Sequence, residues 1–417
     1  MPRQVGLVLV VALALRLITA VWLDRQWEGR FAFGDSESYW VLAGTIAQGE
    51  AYQFGSPDAK VFRTPGYPLL LAPVFLLGGD APSRIWGRVL GAVFGVLSVL
   101  GVWWLGRILF GDRAAVGAAV AAACYPEAVA TSVLVLSEAP FCPWMLAHLG
   151  LWMASWRARG LVRGGLLGFA AGLAAGVATL VRPSWLLFTP FALLIGLAAG
   201  AQRRRQLGLG LAMLAGLCAV MAPWWVRNAR LTGHFVATTL QVGASLYDGL
   251  NPAATGASNM DFVAPMTDAA RKDFQAGHAP GESFEYYLDR RFLGEAVAWA
   301  CDKPGQVARL ALAKLARLWN LWPNEPRFSA WPGRLVVLVT YLPALVLGVV
   351  GAWKTIHRGW PYVLCWLPAV YFSLLHMLFV SSLRYRQPAM LTLMVLAAGV
   401  VANHQPGRVV SDRPGSA

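Results

Sequence analysis

Residues 34–77 read GDSESYWVLAGTIAQGEAYQFGSPDAKVFRTPGYPLLLAPVFLL. This stretch decides the reading of the fold because it interrupts a chain otherwise built of apolar runs of membrane length. Asp35, Glu37, Tyr39 and Arg63 stand together between two such runs, and a hydrophobic chain that keeps such a polar loop uses it. Gly34 and Asp35 open a short helix, since Asp is a strong N-cap and Glu37 in the first turn suits the positive end of the helix dipole. Gly49 closes it. Tyr39, Ala43, Ile46 and Ala47 recur at helical spacing, which predicts a face lying on the membrane surface. At this level Asp35 has two readings, a helix cap or a catalytic carboxylate, and the local sequence does not choose between them.

The surrounding chain sets the class. Its 417 residues are 57% hydrophobic and 13% charged and include 19 Trp, and the mean hydropathy is positive. That is a multi-spanning membrane protein. The formal charge of +14 resides in short Arg clusters between apolar runs, a pattern of membrane orientation and not of nucleic-acid binding. Cys124, Cys142, Cys218, Cys301 and Cys365 include no pair at ligand or redox spacing, so neither a disulfide framework nor a zinc site is indicated. There is no glycine-rich phosphate loop, no GxSxG elbow and no HExxH.

A first span is expected at 5–22, and without a small-residue cleavage site it reads as a retained helix. Residues 67–77 are too short to cross. Further spans are expected at 85–110, 114–125 (with a turn over 126–136), 138–156, a fifth ending at Val181, 185–200, a seventh ending near Pro223, then 335–353, 361–380 and 388–402. Arg157, Arg159 and Arg163, and again Arg203, Arg204 and Arg205, mark cytoplasmic ends. The expectation is an all-α polytopic protein of about ten transmembrane helices with both termini inside. One membrane domain covers 1–404 and a cytoplasmic tail covers 405–417. Two large extracytoplasmic loops, 24–84 and 228–332, carry short interfacial helices. In the second loop, 283–301 and 304–322 read as helices, the latter setting Val307, Leu310, Leu315 and Leu318 against Arg309, Lys314 and Arg317.

This topology brings Asp35, Glu37, Arg63, Glu127, Glu138, Arg182, Arg227, Arg384 and Arg386 to the extracytoplasmic ends of their spans. A general base for a hydroxyl nucleophile needs a carboxylate held near the membrane surface, and Asp35 supplies one. Arginines at the same depth are what a phosphate needs, although arginine at the end of a span also snorkels to headgroups. Glu138, in SEAPF, is either a helix start or a site acid. His148 and His376 lie in apolar runs without partners at ligand spacing and read as buried structural residues.

GDSESYW, FRTPGYPLLL, LSEAP, TLVRP, PWWVRN, KPGQVARLALAKLARLW and LRYRQP, in this order, resemble the GT-C glycosyltransferases, in particular the bacterial relatives of protein O-mannosyltransferases and of the lipid A aminoarabinose transferase. The resemblance implies a GT-C fold with Asp35 and Glu138 as catalytic acids. It implies Tyr39, Arg63, Arg384 and Arg386 as substrate contacts, with Arg63 on the donor phosphate; Arg182 and Glu37 complete the candidate set. Two departures stand out. The mannosyltransferases pair Asp directly with Glu, whereas Ser36 separates Asp35 from Glu37, and their sugar-binding-like lumenal domain is missing.

The implied enzyme is an inverting, multi-pass transferase of the inner (plasma) membrane, active on the periplasmic side. It moves a sugar from a polyprenyl-phosphate donor to a hydroxyl acceptor: a lipid, a polysaccharide or a protein. Membrane lipid is its surroundings and nucleic acid is not a partner. No metal ligands or cofactor are assigned, and a divalent metal is left open. The rival from another class is a transporter or flippase of a lipid-linked sugar. Such proteins set charge near the midplane between repeated halves; here the charges crowd one face and no repeat is visible.

Overall fold

The computed structural model describes residues 3–199, 202–277, 281–322 and 330–402. The described chain is nearly all helix, without a strand, as expected where a backbone must satisfy its own polar groups in lipid. The tail expected at 405–417 lies outside the described residues. Helix α1 (Arg3–Gln26) leads into the first loop, which holds α2 (Gly34–Ala47) and the short α3 (Gly66–Gly78), and α4 (Ile85–Phe110) follows. Next come α5 (Asp112–Cys124) and α6 (Pro126–Val133), bent by 57° at Tyr125, then α7 (Glu138–Arg157), α8 (Leu161–Val181), α9 (Phe188–Ala199) and α10 (Arg203–Thr232). The second loop holds α11 (Val242–Gly249), α12 (Val263–Gln275), α13 (Phe284–Asp302) and α14 (Pro304–Leu318). Helices α15 (Trp331–Thr355), α16 (Trp360–Leu378) and α17 (Gln387–Ala402) end the described chain.

Seven described helices are long and apolar enough to cross a membrane, eight if the bent α5 and α6 count as one span. Not all of the ten expected spans meet that measure, and the shortfall has a physical reason. Helix α9 has only 12 residues, about 18 Å of rise. Helix α7 has 20 residues but carries Glu138 and His148 and buries 13 of its residues against other helices, and such a helix does not need the apolar surface that lipid demands. Two boundaries also move. The expected turn at 126–136 is helical over its first eight residues, begun by Pro126 in the first-turn position that proline favours. Helix α10 continues through Pro223 until Gly233, at φ 74°, closes it.

Small residues let the helices approach. A methyl on Gly172 of α8 would lie 2.0 Å from the Met213 carbonyl oxygen of α10, and one on Gly216 of α10 would lie 2.2 Å from the Phe169 carbonyl oxygen of α8. The break after α5 is held by Arg16 of α1, which is buried. It donates to Ala123 O (3.2 Å), Ala122 O (3.4 Å) and Ser132 Oγ (3.3 Å). The two alanine acceptors are carbonyls of the last turn of α5, the negative end of its dipole, and Ser132 belongs to α6. Gly95 of α4 makes room, since a methyl there would meet Arg16 Nε at 2.4 Å.

The two loops are sewn together. Glu285 of α13 accepts the backbone N–H groups of Lys60 (2.9 Å) and Val61 (2.9 and 3.0 Å). The Leu240 N–H donates to Val61 O at 3.0 Å, and Arg227 donates to Lys60 O at 3.1 Å. Lys314, read from sequence as part of the polar face of α14, is instead buried. It donates to Leu378 O at 2.6 Å, capping the end of α16. The face of α2 carrying Tyr39 and Ala43 is likewise buried, against α3 rather than the membrane surface: Tyr39 meets Tyr67 at 5.0 Å between ring centroids, and Trp40 meets Phe75 at 4.7 Å.

The α8–α10 contact gives a direct check. Gly172→Val drives a branched side chain into the Met213 carbonyl and is expected to destabilise the protein by about 1–3 kcal/mol, read as a lowered thermal midpoint in detergent. An unchanged midpoint would mean that the helices do not meet there.

Candidate active site

Helix α2 is capped by Phe33 in extended conformation, and no side chain caps it. The capping reading of Asp35 is therefore replaced by another arrangement: its carboxylate is a bridge between arginines. Oδ1 accepts from Arg63 Nη2 at 2.6 Å and Oδ2 accepts from Arg384 Nη2 at 2.8 Å. Arg63 Nε donates to Ser38 Oγ (3.2 Å), and that hydroxyl donates to Asp35 O (2.7 Å). The Arg63 guanidinium carbon lies 5.1 Å from the centre of the Tyr39 ring and 4.9 Å from that of Phe62. Arg384 lies over Phe33 (5.5 Å) and Tyr385 (4.9 Å), and donates to the Tyr385 hydroxyl at 3.0 Å.

Behind this bridge is a second one. Glu138 Oε1, at the start of α7, is 2.9 Å from Arg182 Nη1 and 3.6 Å from Arg384 Nε. These are charge contacts more than aligned hydrogen bonds. Arg182, in the extended residue after α8, also donates to Ser137 Oγ (3.2 Å) and lies over Tyr385 at 5.1 Å. Three guanidinium charges against two carboxylates leave the cluster one positive charge in excess. Burial pushes the Asp35 carboxyl up, but Arg63 and Arg384 together outweigh it and hold the group down at about 2. Arg384 Nη1, Arg182 Nε and the Tyr67 hydroxyl are buried without a hydrogen-bond partner among the described residues. Beside Asp35 opens a cavity of about 530 Å³, lined by Phe33, Glu37, Phe54, Phe62, Arg63 and Gln241.

The structure thus brings together Asp35, Tyr39, Arg63, Glu138, Arg182 and Arg384. Glu37 lines the same cavity but turns to Arg84 at the entrance to α4 (3.1 and 3.2 Å). Arg386 does not join the cluster. It is fully buried, paired with Glu127, bonded to the carbonyls of Leu318 and Asn320, and 3.5 Å from the centre of the Tyr341 ring. Residues 383–386 form a 3₁₀ turn, in which positions two apart point about 120° away from each other, so Arg384 and Arg386 serve different neighbourhoods. The two apolar-run histidines are buried: Trp185 donates to His148 Nδ1 at 3.1 Å, and His376 stacks on Tyr385 at 4.5 Å. Sequence reasoning passed over Tyr385, Ser38 and Phe33. The only signal for Tyr385 was its place between two arginines in LRYRQP. Among the described residues no three His, Cys, Asp or Glu side chains gather as they would around a metal ion.

Residues 63–226 match the family model of dolichyl-phosphate-mannose-protein mannosyltransferases. No curated protein matches the chain. Solved structures do. The apo oligosaccharyltransferase of Archaeoglobus fulgidus is 15% identical and aligns over 96% of this chain and 50% of its own, with a TM-score of 0.61. The same organism's AglB in complex with an inhibitory peptide and a dolichol-phosphate is 15% identical over the same shares, with a TM-score of 0.58. ArnT from Cupriavidus metallidurans bound to undecaprenyl phosphate is 18% identical over 95% of this chain and 78% of its own, with a TM-score of 0.46. The chain has the GT-C fold. It is a multi-pass membrane protein spanning about half the length of the archaeal oligosaccharyltransferases it matches.

The separation of Arg384 from Arg386 can be tested. Arg386→Ala leaves Glu127 nearly buried without its cation, a change that costs about 3–5 kcal/mol, and should depress the thermal midpoint strongly. Adding Glu127→Gln should restore part of it. Equal melting of Arg386→Ala and the parent would contradict the buried pair.

Proposed function

We propose that this protein is an inverting glycosyltransferase that moves a sugar from a polyprenyl-phosphate donor to a hydroxyl acceptor at the extracytoplasmic surface of the inner (plasma) membrane. The observation that carries this reading is the Asp35 carboxylate in the first turn of α2, held between Arg63 of the first loop and Arg384 of the turn before α17 and open to a cavity. The lipid-phosphate part is supported by the dolichol-phosphate in AglB, which shares the fold.

In the proposed step the acceptor oxygen forms a bond to the anomeric carbon as its proton passes to Asp35. The bond from that carbon to the phosphate oxygen breaks, and its electron pair leaves with the lipid phosphate. Attack opposite the leaving group inverts the centre. Arg63, Arg384 and Arg182 stabilise the charge growing on the phosphate, while Glu138 holds Arg182 and Arg384 in register and Tyr39 supports Arg63. Arg386 serves as a strut. Residues 1–404 act as one membrane domain whose two loops form the site, and 405–417 are its cytoplasmic tail. The acceptor is a lipid, a polysaccharide or a protein. Transport gains no support here, because the charges stand at helix ends and not at a midplane break.

Asp35→Asn keeps the shape of the side chain and is expected to cut transfer by roughly 100-fold to 10,000-fold. Arg63→Ala should weaken donor use, with Arg63→Lys intermediate because lysine keeps the charge but loses the forked geometry. Purified protein given either a polyprenyl-phosphate sugar or the matching nucleotide sugar, with labelled sugar followed to product, should use only the former. Transfer from the nucleotide sugar alone, or a folded Asp35→Asn protein working at the parental rate, would overturn the proposal.

A further inference from the structure

The resting arrangement of Asp35 conflicts with the work of a base. Both carboxylate oxygens are engaged, each by a different guanidinium, at 2.6 and 2.8 Å. Charge-assisted bonds of this length are the strong ones, and Arg63 and Arg384 hold the group down at about 2, far from the range in which a general base works near neutral pH. The same two arginines are the groups nearest to hand for a phosphate.

We infer that, resting on the function proposed above, the Asp35 carboxylate occupies in the free protein the place of the donor's phosphate, and that the phosphate frees the base by taking Arg63 and Arg384 from it. Donor binding and base activation are then one event, and the donor binds before the acceptor can react. A phosphate diester has two free oxygens and one negative charge, matching two guanidinium donors now committed to two carboxylate oxygens. It also matches the single positive charge in excess. The buried and unpartnered Arg384 Nη1 and Arg182 Nε give the incoming anion donors that Asp35 does not use.

The charges also follow the reaction. When the acceptor proton reaches Asp35, the cluster loses one negative charge and stands two positive in excess. At the same moment the departing lipid phosphate becomes a monoester that carries up to two negative charges. The cage is thus matched to the diester before the step and to the monoester after it. Passage of the proton from Asp35 to solvent restores the carboxylate, which competes again for the arginines and helps expel the product lipid.

Competition predicts an outcome that a purely structural Asp35 would not produce. Affinity for a polyprenyl phosphate without sugar is measured for purified protein in detergent at fixed ionic strength. Removing the competitor in Asp35→Asn, and again in Asp35→Ala, should tighten binding about tenfold, the scale of one charge-assisted hydrogen bond. Arg63→Ala and Arg384→Ala should weaken it. Glu37→Gln removes the same charge from the same cavity wall, but Glu37 pairs with Arg84, so affinity should change by less than about twofold. Unchanged or weaker binding by folded Asp35→Asn and Asp35→Ala overturns the inference, as does equal tightening by Glu37→Gln. The catalytic proposal fails separately: normal transfer by Asp35→Asn defeats the base, whereas an inactive Asp35→Asn that binds no tighter defeats only the competition.

Discussion

Two guanidiniums cannot rest side by side out of water without an anion between them, and here the anion is Asp35. Arg63 comes from the first loop and Arg384 from the turn before α17, and one carboxylate joins them. Glu138 does the same for Arg384 and Arg182 one layer deeper. Like charges at this spacing repel by several kcal/mol at intermediate dielectric, so the cluster exists only because acids and arginines from distant parts of the chain are delivered to one depth. Much of the remaining architecture serves that delivery. Glu285 pins the backbone two residues before Arg63, Arg227 grips the same segment from α10, and Lys314 ties the second loop to the end of α16, just ahead of Arg384.

The apolar body could be read in advance because its physics is local. Length, hydropathy and arginine clusters marked most of the helices within a few residues, since a segment in lipid must be helical and a basic flank sets its direction. Reading fell short where the chain bends inside the protein. The turn expected at 126–136 is instead the helix α6 over its first eight residues, because α5 and α6 bend around Arg16, whose four hydrogen bonds reach partners up to 116 residues away. No window along the sequence contains that contact.

The site was legible in kind but not in pairing. Asp35, Arg63, Glu138, Arg182 and Arg384 stand out as charges at the ends of apolar runs. Which cation meets which acid depends on the turn at 383–386, where one step of helix type sends Arg384 to Asp35 and Arg386 to Glu127. Lys314 was misread for a related reason: helical periodicity assigns a face, but only the neighbour decides whether that face is wet. Tyr385, ringed by Arg182, Arg384 and His376, has no sequence signature beyond its place between two arginines, because stacking leaves no periodic trace.

In the function proposed here, the arginines around Asp35 form the seat of a lipid phosphate. A structure determined with a polyprenyl phosphate bound tests it most directly. Phosphate oxygens are expected within hydrogen-bond distance of Arg63 and Arg384, with at least one of their present bonds to Asp35 broken. A phosphate seated elsewhere, with the 2.6 and 2.8 Å contacts of Asp35 intact, would contradict it.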